Sequence, residues 1–473
     1  MLHGERADNS RLNTVSGVNA ISRSLGAWRH AVSSQRVLEA VRMADEAELH
    51  LAGLHPDSRL ESVSTWAVEA CLRLGRSGEA RERLEAVERK FGASATTRHL
   101  SARLHYFLND HEACAATCAD ALILSGGVRT AKYRTICRTM ADSLCLMGQH
   151  HRARDILLQT FVHQTQFSND DIRALRQTAV DVSGLEIFSS FFSGRFGPRT
   201  ASSRAILYHY SLACRDLGLY ERAIATIRRR MLNGVDALAF GASGSRPQNQ
   251  SVWQMDASVA LNDLKRGMDQ ADTPFFLISG TLLGCVRDGA IIGHDKDIDV
   301  GVMEDDKLDK SRVHDALAKL GVFSVKPYQN PALLRLQHAN GVMIDLFWHR
   351  REDGLIIHEG MKSKWWNSDF QLEQVDFLGN EYLKPVNHDR YLCENYGDWR
   401  TPDSEFETFV DTPNMIITNT HEILWYFYCK ILEYYNKGKV SQFLKLINGL
   451  LVLQPADEAV RALAYKIPQS PAT

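Results

Sequence analysis

A glycine followed five positions later by an alanine recurs three times in the first half of this chain, and that spacing constrains the fold more than any other feature. Gly75 precedes Ala80, Gly148 precedes Ala153, and Gly218 precedes Ala223. Each glycine follows an apolar residue: Leu74, Met147 and Leu217. A glycine lets one helix end in a tight turn, and a small residue one turn into the next helix lets the two backbones approach closely. The glycines are separated by 73 and 70 residues, about twice the roughly 34-residue period of a helix-turn-helix repeat. Weaker partners near Asn109–Ala113 and Gly184–Ser189 would fill the gaps. Apolar residues at helical spacing, such as Ala67, Cys71 and Leu74, support helix after helix to about residue 235. Stacked pairs of this kind bury a continuous core.

Over roughly residues 35 to 235 the chain resembles the tetratricopeptide-repeat (TPR) family. Trp66 and Tyr220 fall near that family's aromatic positions, while the consensus proline after each second helix is absent. A non-repetitive helical bundle is the alternative. An array of this kind offers a concave face to a protein partner or an acceptor polymer, or it docks on the chain's own second domain.

The chain has 473 residues, 44% hydrophobic and 24% charged, with a formal net charge of -2. That is an ordinary globular balance for more than one domain. It gives no bulk electrostatic reason to expect nucleic acid as a partner, although Arg228, Arg229 and Arg230 form a local basic run. The polar start is read as lacking a secretory signal, and no apolar run is long enough for a transmembrane segment. Ile423–Tyr435 reads as an amphipathic helix interrupted by Lys430 and Glu433, with Trp425, Tyr426, Phe427 and Tyr428 expected as core against the domain that precedes it, read below as catalytic. The expected location is cytoplasmic, with peripheral membrane attachment as the minority reading. Nine cysteines without a Cys-x-x-Cys pair fit a reducing compartment. His111, Cys114 and Cys118 share one helical face, but no fourth ligand is adjacent, so a packed face is the better reading than a metal site.

After the small, polar stretch Gly241–Ser251 the pattern changes. A helix from about Ala257 to Met268 precedes strand-like runs at Phe275–Ile278, Ile298–Val302 and Val342–Phe347, with a helix at Lys310–Leu320 between the last two. This alternation argues for an α/β or α+β domain. Gly280, after the first strand, permits a tight turn, and a helix starting near Thr281 would offer unpaired N–H groups to a phosphate. Asp297 and Asp299 alternate on a strand, so both carboxylates share one face and suit Mg²⁺ bridged to phosphates. Asp345 interrupts an apolar strand and would complete a triad, sharing the metal or taking the proton of an attacking hydroxyl. A calcium loop is the rival reading of Asp295–Asp299. It lacks the downstream Gly and Glu of a twelve-residue loop.

Ser279-Gly280-Thr281-Leu282-Leu283-Gly284, then Arg287, then Asp295-Lys296-Asp297-Ile298-Asp299, resembles the LicD/fukutin family, a branch of the nucleotidyltransferase superfamily. Tyr396-Gly397-Asp398-Trp399 resembles the family's late Tyr-Gly-Asp/Asn-Trp segment. Gly293-His294 stands where many members have Pro and an aromatic residue. The resemblance covers about residues 255 to 405. It implies transfer of phosphocholine, ribitol phosphate, glycerol phosphate or a similar phospho-alcohol from a CDP-linked donor to a glycan or polysaccharide. It further implies that Asp297, Asp299 and Asp345 are catalytic and hold Mg²⁺ (Mn²⁺ being the alternative ion), and that Ser279, Gly280, Thr281 and Arg287 contact the donor phosphates. Asp295, Trp399 and Arg400 are expected to line the substrate site, His294 and Lys296 to be surface neighbours. Trp365 and Trp366 are either site-lining or core.

The expected organisation is an N-terminal tail (1–34), an all-α TPR-like repeat domain (35–238), a linker (239–252), an α/β nucleotidyltransferase-fold catalytic domain (253–412) and C-terminal helices (413–473). Two rival functions share these features. One is a nucleotidyltransferase moving NMP from an NTP, and the other is a non-catalytic adaptor with a TPR-like interaction domain.

Overall fold

The structure, a computed structural model, describes residues 19–23, 41–47, 49, 58–197, 203–241, 250–293, 295–305, 308–325 and 331–466. Most of the expected tail and linker, and His294, lie outside them. The helical half runs as α1 (Ser58–Arg73), α2 (Ser77–Phe91), α3 (Ala95–Phe107), α4 (His111–Leu124), α5 (Ala131–Leu146), α6 (His150–Phe161), α7 (Asn169–Gln177), α8 (Val182–Phe196), α9 (Arg204–Asp216) and α10 (Tyr220–Ala237). In sequence these fall two by two, and the first helix of each two begins 35 to 38 residues after that of the two before.

The turn chemistry follows from the glycines. Gly75, Gly148 and Gly218 have φ of +71°, +74° and +71°, and Asn109 takes the same left-handed role at +57°. Backbone bonds close three of these turns: Arg76 N–H to Cys71 O (2.9 Å), Asp110 N–H to His105 O (3.0 Å) and Leu219 N–H to Cys214 O (2.8 Å). Five residues on, Ala80, Cys114, Ala153 and Ala223 are fully buried. Gly184 plays a different part from the turn residue expected of it. It lies inside α8, where an added Cβ would sit 2.8 Å from Arg154 Nη1 and 3.0 Å from Ala179 Cα. It is the close-approach residue of the fourth pair, equivalent to Ala80 in the first.

After α11 (Gln250–Gln270) come β1 (Phe276–Leu277), α12 (Ser279–Leu283), a π-helical turn (Gly284–Asp288), β2 (Asp297–Met303), α13 (Lys310–Lys319), β3 (Phe323–Val325), β4 (Leu333–His338) and β5 (Met343–Glu352). Then follow β6 (Leu355–Glu359), β7 (Ser363–Ser368), β8 (Leu372–Phe377), β9 (Asn380–Pro385), α14 (His388–Tyr396), α15 (Thr408–Asp411), β10 (Met415–Ile417), α16 (Thr420–Lys437), α17 (Val440–Leu453) and α18 (Glu458–Leu463). The C-terminal half is thus a mixed-sheet domain followed by helices.

The chain divides into two compact units, one of Met1–Met147, Gln248–Leu346 and Gln374–Lys384, the other of Gly148–Pro247, Phe347–Glu373 and Pro385–Thr473. In the first, β1 pairs antiparallel with β2 (Phe276↔Gly301, Leu277↔Val300) and parallel with β9 (Phe276↔Leu383). β3 pairs antiparallel with β4 (Phe323↔His338). The first two helix pairs dock on these strands through their turns. Asn109 Nδ2 donates to Phe323 O (3.1 Å), Val325 N–H donates back to Asn109 Oδ1 (3.3 Å), and Ser77 Oγ donates to Leu320 O (3.3 Å). A Cβ at Gly75 would fall 2.3 Å from Asp263 Oδ2, the carboxylate that pairs with buried His338. Cys114 and Cys118 are buried with Ala102, Ala121 and Ile136, a packed helix face.

In the second unit, β6 pairs antiparallel with the end of β5 and with β7, and β7 with β10. Of the α16 aromatics expected against the catalytic domain, Tyr426 meets it, its ring 4.7 Å from that of Phe409 and its hydroxyl donating to Glu407 Oε1 (2.6 Å). Trp425 lies instead against Tyr208 of α9, centroids 5.8 Å apart, and Tyr428 donates to Gln454 Oε1 (2.7 Å). Trp425 Nε1 donates to Ser211 Oγ at 3.1 Å. The indole is large and carries one donor, so it settles where a buried hydroxyl accepts. The basic run is engaged: Arg228 donates to Asp457 through Nε (2.8 Å) and Nη2 (2.7 Å), and Arg230 Nε to Arg204 O (2.9 Å). Among the described residues, no helix is long and apolar enough to cross a membrane.

Candidate metal centre

The centre lies within the first unit and is built by three short elements. β2 alternates over Asp297–Val300: Ile298 and Val300 are buried, while Asp297 and Asp299 take the other face. β5 supplies Asp345, buried between Ile344 and Leu346. One carboxylate oxygen from each of Asp297, Asp299 and Asp345 lies within 4.8 Å of the others. Among the described residues this is the one group of three or more such side chains that could hold an ion.

The turn after β1 completes the centre. Ser279 has φ +48°, a left-handed conformation that costs a non-glycine residue about 1 kcal/mol. Helix α12 begins at Ser279 itself, two residues earlier than expected. Gly280 is required by proximity, since an added Cβ would lie 2.4 Å from Asp295 Oδ2. Thr281 is buried, and its Oγ1 accepts from the Asp299 N–H at 3.0 Å. Its hydroxyl therefore pins the aspartate strand to the turn.

Arg335 on β4 escaped the sequence reading. It donates through Nε (2.7 Å) and Nη2 to the two oxygens of Asp345. The available signal was a lone charge in Leu333-Leu334-Arg335-Leu336, ten residues before the other lone charge, Asp345. A charge inside each of two nearby apolar strands suggests that the two meet.

Four carboxylates crowd this small volume against one guanidinium. Burial, and then the charges of Asp295 and Asp345, push Asp297 up to about 6. Burial, then Asp297, Asp345 and Asp295, hold Asp299 well above the usual carboxylate range. Burial also raises Asp295, whose Oδ1 accepts from the Lys296 N–H at 3.0 Å. Such a site is short of positive charge. A divalent cation with metal–oxygen distances of about 2.1–2.5 Å holds its ligand oxygens roughly 3 to 5 Å apart. The carboxylate trio matches that spacing and chemistry.

The other residues singled out stand as follows. Arg287 pairs with its neighbour Asp288, Nε to Oδ1 at 2.8 Å and Nη2 to Oδ2 at 2.9 Å. Trp399 and Arg400 belong to the second unit. Trp399 is buried there, with the Arg400 guanidinium 4.5 Å from its ring centroid, and Arg400 also pairs with Asp389. Trp365 stacks on His358, centroids 5.2 Å apart and planes 9° from parallel. Trp366 is bound through its backbone to Asn414.

Residues 272–387 match the family model described as LicD/FKTN/FKRP, nucleotidyltransferase domain. That segment contains β1, the Ser279–Thr281 turn and all three aspartates. The ribitol-5-phosphate transferase FKTN of Mus musculus is 28% identical over 252 residues, 51% of this chain and 49% of the relative. The same-named proteins of Macaca fascicularis and Homo sapiens are each 27% identical over 252 residues. The chain thus carries a LicD/FKTN/FKRP domain in its C-terminal half, and it spans about half the length of the curated relatives it matches.

Proposed function

We propose that this chain is a cation-dependent phosphotransferase that moves a phospho-alcohol from a CDP-activated donor to a hydroxyl of a glycan, releasing CMP. The observation that carries the reading is the trio of oxygens from Asp297, Asp299 and Asp345 within 4.8 Å of one another, set beside a Gly-containing turn. The relatives are ribitol-5-phosphate transferases by name, which supports a phospho-alcohol as the transferred group.

Asp297, Asp299 and Asp345 would hold Mg²⁺ or Mn²⁺, an ion that when bound neutralises a diphosphate and polarises its phosphorus. Thr281 fixes the strand register that aims Asp299, and Arg335 pairs with Asp345. Gly280 leaves space where a side chain would displace Asp295. The acceptor oxygen forms a bond to the phosphorus bearing the alcohol, the bond to the CMP oxygen breaks, and CMP leaves with the electron pair. Asp345 would itself be a ligand of the cation, so we assign the acceptor's proton to Asp295, a carboxylate outside the trio whose proton affinity burial raises. Rate enhancement then comes mainly from positioning and charge neutralisation.

The same reading takes the C-terminal domain as a nucleotidyltransferase fold and the helix pairs as TPR-like, available to a protein partner. It places the enzyme in the cytoplasm, with peripheral membrane attachment as the alternative. The test is product analysis with CDP-choline, CDP-glycerol or CDP-ribitol, Mg²⁺ and candidate oligosaccharides. CMP release with phospho-alcohol on the glycan is expected. Pyrophosphate release from an NTP would replace the reading with nucleotidyl transfer. Donor binding without turnover under any acceptor would favour an adaptor.

A further inference from the structure

We infer that Arg335 is an exchangeable counter-ion. It competes with the cation for Asp345 and, once displaced, turns its guanidinium to the phosphates of the bound nucleotide. The inference rests on the cation reading of the carboxylate trio and adds to it a residue that couples cation and nucleotide.

Asp345 is only 8% exposed, and both its oxygens accept from Arg335, whereas the arginine side chain is 41% exposed. The bidentate fork takes one lone pair of each Asp345 oxygen and leaves one on each. A cation sharing Asp345 with Asp297 and Asp299 would therefore draw on the same carboxylate charge that the guanidinium neutralises. Arg335 lowers the proton affinity of both Asp297 and Asp299, so its charge is felt across the whole trio. Its positive charge beside the ligands also opposes the entry of a second positive charge. The arginine is anchored at β4 with two-fifths of its side chain exposed, so it borders solvent on the side away from Asp345. A guanidinium fork fits two phosphate oxygens as well as two carboxylate oxygens. A nucleoside diphosphate arriving with the cation would thus give Arg335 a replacement partner and make the two ligands bind cooperatively.

The experiment measures Mn²⁺ binding to the full chain by electron paramagnetic resonance, with and without CDP, for the native protein, Arg335→Gln, Arg335→Lys and Asp297→Asn. Without CDP, R335Q should bind Mn²⁺ about 10-fold tighter than the native protein, with R335K between them. CDP should strengthen Mn²⁺ binding about 5- to 10-fold in the native protein and not in R335Q, a coupling of ordinary size. If native binding proves too weak to detect, its appearance in R335Q is the expected result and its absence overturns the inference. Mn²⁺ affinity unchanged or weakened in both arginine variants would make Arg335 a fixed support for Asp345 and overturn the inference alone. Binding insensitive to D297N would instead overturn the cation reading beneath it. R335K, which keeps the charge and loses the fork, guards against misfolding of the neutral variant.

Discussion

Arg335 grips Asp345 through two hydrogen bonds from a neighbouring strand, while Asp297 and Asp299 stand opposite with raised proton affinities. One acid of the trio is therefore already compensated and two are not. The consequences can be measured separately.

Asp297→Asn and Asp299→Asn should each reduce turnover by about 10³-fold or more, as loss of a principal charge-stabilising group does. Measured in EDTA, the same variants should melt at or above the temperature of the native protein. With Asp297 raised to about 6, ionising this site at pH 7 costs on the order of 1–3 kcal/mol. Calorimetry alongside an activity assay checks both halves.

The pH dependence follows with a definite sign. A carboxyl whose folded-state affinity for protons exceeds its unfolded one contributes stability below the unfolded value and loses it as pH rises through the folded one. In EDTA, melting temperature should therefore fall as pH rises from about 4 to 6, the window set by Asp297. Saturating Mg²⁺ or Mn²⁺ should remove most of that fall. Melting curves across pH with and without the ion measure it.

Gly280→Ala places a methyl 2.4 Å from Asp295 Oδ2. The carboxylate must move, so activity should drop roughly 10- to 100-fold, the usual cost of a displacement near 1 Å in a reacting site. Stability should change little, because the atom in the way is the end of a side chain and not backbone. Turnover compared with melting temperature separates the two effects.

Thr281→Val removes the acceptor of the Asp299 N–H. The expected loss is about 1–2 kcal/mol of stability together with reduced turnover. Thr281→Ser should restore both. A variant equal to native in both respects would mean that the bond does not hold the strand.

Asn109→Ala deletes the side chain whose amide bonds to Phe323 O and Val325 N–H. It should cost roughly 2–3 kcal/mol by leaving buried backbone groups unpaired. Denaturant unfolding reads this directly, and it tests whether the second helix pair braces β3, the strand paired with the one that carries Arg335.

Much of this was legible in the residues. The alternation Asp297-Ile298-Asp299-Val300 places two acids on one strand face whatever the tertiary context, and Asp345 inside an apolar run demands a partner. The glycine–alanine spacing marked the turns because a left-handed turn and a close helix contact each restrict the residue type. Gly184 misled because a glycine serves either purpose, and only the packed Arg154 and Ala179 reveal which. Arg335 was missed because a single arginine in a short strand reads as solvent-facing, and its partner lies on another strand. The neighbours of Trp425 depend on how distant helices pair, which local pattern does not encode.

The central claim is that Asp297, Asp299 and Asp345 together hold one divalent cation. Anomalous diffraction from crystals soaked in Mn²⁺ tests it most directly. The account expects a single strong peak about 2.2 Å from one oxygen of each of the three. A peak held by other residues, or none at saturating Mn²⁺, would contradict it.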